Sequence, residues 1–254
     1  MTKLSSAWQL MTRSLGAYKA NWRTLAGIVT VMAGPIAILQ MTGSITAGDA
    51  LDTYTMVGSI FMNVALVYAI GLLLNGKKIP SVRRLYYDGS AAVARFVVAG
   101  TLLVFMATPA LGAVYILAAG TNPPQGTVIQ FSDMALYVGL AIILLIPSVW
   151  LLTRYGLALY PIVQDGADPK PALSLVRNLS QGRFWPVLGR LSFVALLLAV
   201  VSVVAYLPSA ALGLAGTNLQ ILDGIYTFLF TLLTLPLINL YMSNLYRELK
   251  QTAK

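Results

Sequence analysis

The chain predicts an all-α membrane protein with six transmembrane helices, and three observations predict it. Of its 254 residues 58% are hydrophobic and 10% charged, where a soluble domain carries about a quarter charged residues. The mean hydropathy is +0.78, and six apolar runs approach or exceed the roughly 20 residues that a helix needs to cross a hydrocarbon core of about 30 Å. The 17 Lys and Arg fall in four segments: four in the amino-terminal stretch, five in 75–95, five in 153–190 and three in the tail. The three short connectors between paired runs hold none and carry four of the aspartates.

Residues 1–23 place Lys3, Arg13, Lys19 and Arg23 among apolar and aromatic side chains. Leu4, Trp8, Met11, Leu15 and Tyr18 fall on one helical face, which predicts an amphipathic helix lying in the membrane interface, with a soluble basic leader as the alternative. The first apolar run begins too late, and lacks the small-residue cleavage site, for a cleavable signal peptide. Spans follow in three pairs: 24–42 with 54–74, 96–119 with 134–152, and 191–214 with 224–246. Together 24–246 is the six-helix domain, with 153–190 as its cytoplasmic connector and 247–254 as a cytoplasmic tail.

Because Lys and Arg are retained on the cytoplasmic side of a membrane, their partition predicts both termini in the cytoplasm. The formal charge of +9 then serves orientation and attraction to anionic headgroups. Nucleic acid is not an expected partner, because no separate basic domain exists to hold it. Candidate headgroup contacts are Arg154, Arg177, Arg183, Arg190, Arg23 and Arg95, since a guanidinium presents a fork of donors suited to phosphate.

An aromatic residue followed by glycine precedes each span pair: Trp22 with Gly27, Phe96 with Gly100, Trp185 with Gly189. This spacing admits a threefold repeat of interfacial helix and helical hairpin, or only the residues that any inner-leaflet helix entry selects. Small residues at helical spacing, Ala26, Thr30, Ala33 and Ala37 in the first span and Ala195, Ala199, Ser202, Ser209 and Gly213 in the fifth, predict close helix approach. Prolines 35, 109, 147, 208 and 236 stand inside spans, where each removes a donor and favours a kink. Asn63, Gln40, Ser148, Thr234, Asn239 and Asn244 are available for interhelical hydrogen bonds, and Pro236 with Asn239 is the candidate polar intramembrane site.

The chain contains no histidine and no cysteine, so it lacks an imidazole base, a thiolate nucleophile and the nitrogen and sulfur ligands of zinc, copper or haem. The eight carboxylates are Asp49, Asp52, Asp88, Asp133, Asp165, Asp168, Asp223 and Glu248, none at the centre of an apolar run, where a proton relay would need one. No cofactor and no enzymatic activity are expected. In the 153–190 connector, Asp168 before Pro169 predicts a helix cap and start. Arg154 is placed to pair with Asp165, Asp168 or a lipid phosphate. Ala172, Val176 and Leu179 form an apolar face opposite Arg177, Asn178 and Gln181.

The run Arg154, LALYPIVQDG, Ala172–Leu173, Ser180, Gly182–Arg183, Trp185 and Val187–Leu188–Gly189 resembles the connector of the six-span membrane domain found ahead of the catalytic domain in some bacterial glycerophosphoryl diester phosphodiesterases, and stand-alone bacterial relatives of unknown function. That resemblance implies a bacterial cytoplasmic membrane. In that family the hydrolysis belongs to an appended soluble barrel, for which six spans leave no room here. The expected function is therefore a non-catalytic inner-membrane protein that binds or organises phospholipids, or acts as the membrane subunit of a protein partner or homo-oligomer. Alternatives are a transporter, channel or lipid-moving protein using the Pro236 and Asn239 region, and a headgroup enzyme using Asp165 and Asp168.

Overall fold

A computed structural model describes residues 4–42, 49–121, 131–211 and 217–252, with side chains described except at 40–42, 49–52, 119–121, 131–133, 205–211, 217–220 and 223. The expectations for Gln40, Asp49, Asp52, Asp133, Pro208, Ser209, Gly213 and Asp223 lie outside the described side chains. Among the described residues the regular structure is helical, with no strand: α1 Ala7–Thr42, α2 Asp49–Leu74, α3 Val82–Ser90, α4 Val93–Thr121, α5 Phe131–Tyr155, α6 Leu159–Gln164, α7 Pro169–Ser180, α8 Phe184–Ala211 and α9 Thr217–Thr252. Six of these are long and apolar enough to cross a membrane, and the chain is an integral membrane protein.

The break between the amino-terminal segment and the first span falls at Asn21, whose φ of −125° and ψ of 18° leave the helical region inside α1. Its side-chain amide donates to the Ala17 carbonyl at 3.0 Å, a local bond that competes with helix continuation. Helix α2 stops at Gly76, whose φ of +66° is accessible at little cost only to glycine. The Gly76 and Lys77 amides then return to the Leu73 and Leu72 carbonyls, both at 3.0 Å, closing a Schellman turn. Short helix α3 follows and buries Leu85. It docks on α1 through Tyr86, whose hydroxyl donates to the Ile28 carbonyl at 2.7 Å, and burial, then the Tyr54 phenol, raises its ionisation above the usual phenol range.

Helix α2 is the central span, with half of its most apolar window buried, whereas α5 and α8 bury about a ninth of theirs. Two apolar clusters form around it. One joins Leu25 and Ile28 of α1, Leu66 and Ile70 of α2, Leu85 of α3 and Leu240 of α9. The other gathers Leu10, Leu157, Ile162, Val176, Val187 and Leu245, so that it ties the amino-terminal segment, α6, α7, α8 and α9 together. Large apolar side chains such as Phe105, Tyr115, Ile143, Ile146, Leu196 and Val203 remain exposed on α4, α5 and α8. Water would not tolerate so wide an apolar surface, and lipid does.

The most extensive helix pairings are α1 with α9 and α4 with α5, while α8 meets its sequence neighbour α9 far less among the described residues. The pairing of α4 and α5 is fastened where both carry prolines: just after Pro109 the Ala110 amide donates to the buried Ser148 hydroxyl, beside Pro147, at 3.0 Å. The small-residue stripes behave differently from one another. In α1, Ala26 and Ala37 are buried while Thr30 is exposed and returns its hydroxyl to the Ala26 carbonyl. In α8, Ala195 and Ala199 are exposed, and Val194 with partly buried Leu191, Leu197 and Leu198 makes the packed face.

After α5 the chain turns at Gly156. A β-carbon there would sit 2.5 Å from the Leu152 carbonyl oxygen, closer than any real contact, and that oxygen is already held by the Gly156 amide at 2.8 Å. Gly156→Ala is therefore expected to destabilise the protein by about 1–3 kcal/mol through forced backbone movement, read as a lowered thermal midpoint in mild detergent.

Candidate functional site

The four basic segments meet at one end of the helices. Arg190 of α8 donates through Nε to the Ser5 carbonyl at 3.0 Å, and the Ser5 amide donates to the Glu248 carboxylate of α9. Arg183, before α8, donates to the Thr252 carbonyl at 2.7 Å and to its hydroxyl. Arg95 of α4 donates to the Gly166 carbonyl at 2.5 Å and stands 3.8 Å from Asp168. Arg247 of α9 caps the Leu74 carbonyl at the end of α2, and Lys250 pairs with Asp165 at 2.8 Å. Each bond joins segments distant in sequence, so these cations close the end of the bundle.

This arrangement divides the six predicted headgroup arginines. Arg95, Arg183 and Arg190 are spent on protein carbonyls: Gly166 in the turn after α6, Thr252 at the end of α9, whose last acceptors have no partner within the helix, and Ser5 just before α1. Arg23, Arg154 and Arg177 make no such contact among the described residues. The Arg23 guanidinium lies 5.9 Å from the Trp22 ring centroid, and that of Arg154 lies 4.4 Å from the ring centroid of Trp150, both within cation–π range. Arg177 is exposed on α7. All four tryptophans are between 44% and 77% exposed, and each lies in or beside a basic segment.

Several predicted pairings resolve otherwise. Asp168 occupies the cap position of α7, with Pro169 in the first turn, yet its carboxylate makes no cap bond and faces Arg95. That ion pair is weak, because Asp168 is largely solvated. Arg154 pairs with neither aspartate. Asp165 instead accepts from Lys250 and from the Tyr246 hydroxyl. Ala172, Val176 and Leu179 are buried as predicted, with Arg177, Asn178 and Gln181 exposed. The amino-terminal face splits: Met11 is buried with Leu10 and Ser14, while Trp8 and Leu15 remain exposed. The reason is α9, whose Asn244 donates to Ser14 at 3.1 Å and so rotates the buried face away from the purely apolar one.

Pro236 and Asn239 occupy the middle of the α1, α2 and α9 contact. Proline has no amide, so the Leu232 carbonyl four residues earlier loses its usual helical donor, and the Tyr18 hydroxyl of α1 donates to it at 3.1 Å. Asn239, 6% exposed, donates to the Leu235 carbonyl at 3.0 Å and to Asn63 of α2 at 3.4 Å, and accepts from Tyr160 at 3.3 Å. One turn on, Ser243 accepts from Gln164 at 2.9 Å. These polar atoms bind one another and leave no convergent unpaired group, so the geometry is that of interhelical fastening. Asn239, Ser243, Arg247 and Lys250, at spacings of four and three, form a polar stripe legible in the sequence once α9 is drawn as one long helix. Their partners Tyr160 and Gln164 carry no such signal.

No protein-family model, curated protein or solved structure matches this chain. Among the described residues no group of three or more acidic side chains is placed to hold a metal ion.

Tyr18→Phe leaves the Leu232 carbonyl without its donor and is expected to cost about 0.5–1 kcal/mol. In a Pro236→Ala background the restored helical amide serves that carbonyl, so the same substitution should cost close to nothing. Denaturation midpoints of the four proteins in the cycle test this, and an equal cost in both backgrounds would contradict it.

Proposed function

We propose that this protein binds and organises anionic phospholipid at the cytoplasmic face of a bacterial inner membrane, with both termini in the cytoplasm, and that it performs no chemistry of its own. The observation that carries this reading is the set of exposed tryptophans at the basic end, two of them with an arginine over the ring. Tryptophan collects at the headgroup boundary, and an arginine beside it presents its remaining donors at the depth where lipid phosphate lies. Arg154 is best placed: α5 exposes Ile143, Ile146 and Trp150 to the lipid and delivers the guanidinium at its last turn.

The amino-terminal part of α1, with α3 and α7, then lies as interfacial helices against the inner leaflet, and the six spans correspond to the six-span domain described above. The two competing readings draw less from the geometry. Asp165 and Asp168 serve different cations on different helices and form no acid–base pair. Pro236 and Asn239 are consumed by packing.

Replacing Arg23, Arg154 and Arg177 together with glutamine should strip most co-purified anionic phospholipid and leave the thermal midpoint nearly unchanged. The matching triple at Arg95, Arg183 and Arg190 should lower the midpoint by several degrees, because three carbonyl latches are lost. Lipid phosphorus per mole of protein and a thermal scan in detergent measure both. Equal lipid retention in the first triple and wild type would sink the proposal.

A further inference from the structure

A polar cavity of about 320 Å³ opens at the basic end between the close of α2, the end of α6 and the last turns of α9. Its volume is at the lower end of the about 300–1,000 Å³ typical of small-molecule sites. Asn75, Gln164, Asp165, Arg247, Lys250 and Gln251 supply its polar lining. Its floor exists because residue 71 is glycine: a β-carbon there would lie 2.9 Å from Cγ of Gln164, which Ser243 already holds.

The electrostatics of this cavity are set before any ligand enters. Lys250 and Tyr246 both donate to Oδ2 of Asp165, and its charge is matched by the ammonium. Arg247 remains as the net positive charge, and the Leu74 carbonyl takes only one of its five N–H donors. Lys250 keeps two further donors, and the Asn75 and Gln251 side-chain amides make no hydrogen bond among the described residues. A net single cation surrounded by several unused N–H donors matches a compact anion rich in acceptor oxygens.

We propose that this cavity binds a phosphate ester, with Arg247 and Lys250 on the phosphate oxygens, Asn75 and Gln251 completing the donor shell, and Asp165 positioning Lys250. The ester is either the headgroup of a phospholipid or a soluble phosphorylated solute, and both present the same group to the same donors. None of Arg23, Arg154 and Arg177 takes part, so the site stands or falls separately from the headgroup contacts on the outer surface.

The test uses the full chain in detergent, delipidated, with glycerol 3-phosphate as the soluble probe followed by calorimetry and phosphatidylglycerol as the lipid probe followed by native mass spectrometry. Lys250→Gln removes a solvent-screened ion pair that contributes little to stability and Gln251→Glu changes an exposed side chain, so both variants should stay folded with the thermal midpoint little changed. Saturable one-to-one binding of glycerol 3-phosphate, weakened at least about tenfold in both variants, assigns a soluble ligand. Retention of one phosphatidylglycerol that both variants lose, without binding of the soluble probe, assigns a headgroup. Absence of both kinds of binding in the wild type, or binding that neither variant weakens, overturns the proposal.

Discussion

In a hydrocarbon solvent every buried polar group must find its partner inside the protein, and α9 is where this chain meets that constraint. Its polar groups reach four other parts of the molecule: Leu232 and Asn244 meet α1, Asn239 meets α2 and α6, Ser243 meets α6, and Tyr241 donates to the Arg190 carbonyl of α8 at 3.2 Å. Apolar contact alone drives little association between helices already surrounded by lipid chains. Directional bonds therefore select which helices pair, and they select α1 as the principal neighbour of α9 in preference to α8, the helix that precedes it in the chain.

The same constraint sorts the cations. A helix end at the membrane surface presents carbonyls with no internal donor; Arg183 and Arg247 satisfy carbonyls at the ends of α9 and α2, while Arg95 and Arg190 take carbonyls after α6 and just before α1. Of the six candidate headgroup arginines, those without a carbonyl bond are Arg23 and Arg154 beside exposed tryptophans and Arg177 exposed on α7. One charge pattern thus has two uses, closure of the bundle and contact with the surrounding headgroups, and the structure separates them residue by residue.

Much of this architecture is legible in the residues themselves. Span number and approximate limits follow from apolar run length, and the buried face of α7 follows from Ala172, Val176 and Leu179 at helical spacing. The helix break at Asn21 falls next to the predicted boundary at 23. What the sequence withholds is pairing between distant segments. The Leu4 to Tyr18 face looks uniformly apolar, yet the structure buries Ser14 because Asn244 lies opposite. Asp168 has the signature of a cap, yet Arg95 competes for it from a helix more than 70 positions away. Ala195 and Ala199 have the spacing of a packing stripe, but α8 packs through Val194 with partly buried Leu191, Leu197 and Leu198 and leaves both alanines exposed. In each case a local rule is overridden by a neighbour that local spacing does not encode.

Cross-linking tests whether α9 clasps α1 through buried polar contacts. Because the chain has no native cysteine, Ser14→Cys with Asn244→Cys introduces the only thiols, at side chains that are 3.1 Å apart. A short bifunctional thiol-reactive electrophile applied to membranes should alkylate both thiols and produce an intramolecular cross-link in high yield, visible as a mobility shift on denaturing gels. Its absence, with both thiols accessible to a monofunctional reagent, would mean that α9 does not pack on the amino-terminal part of α1 and that this account of the bundle is wrong.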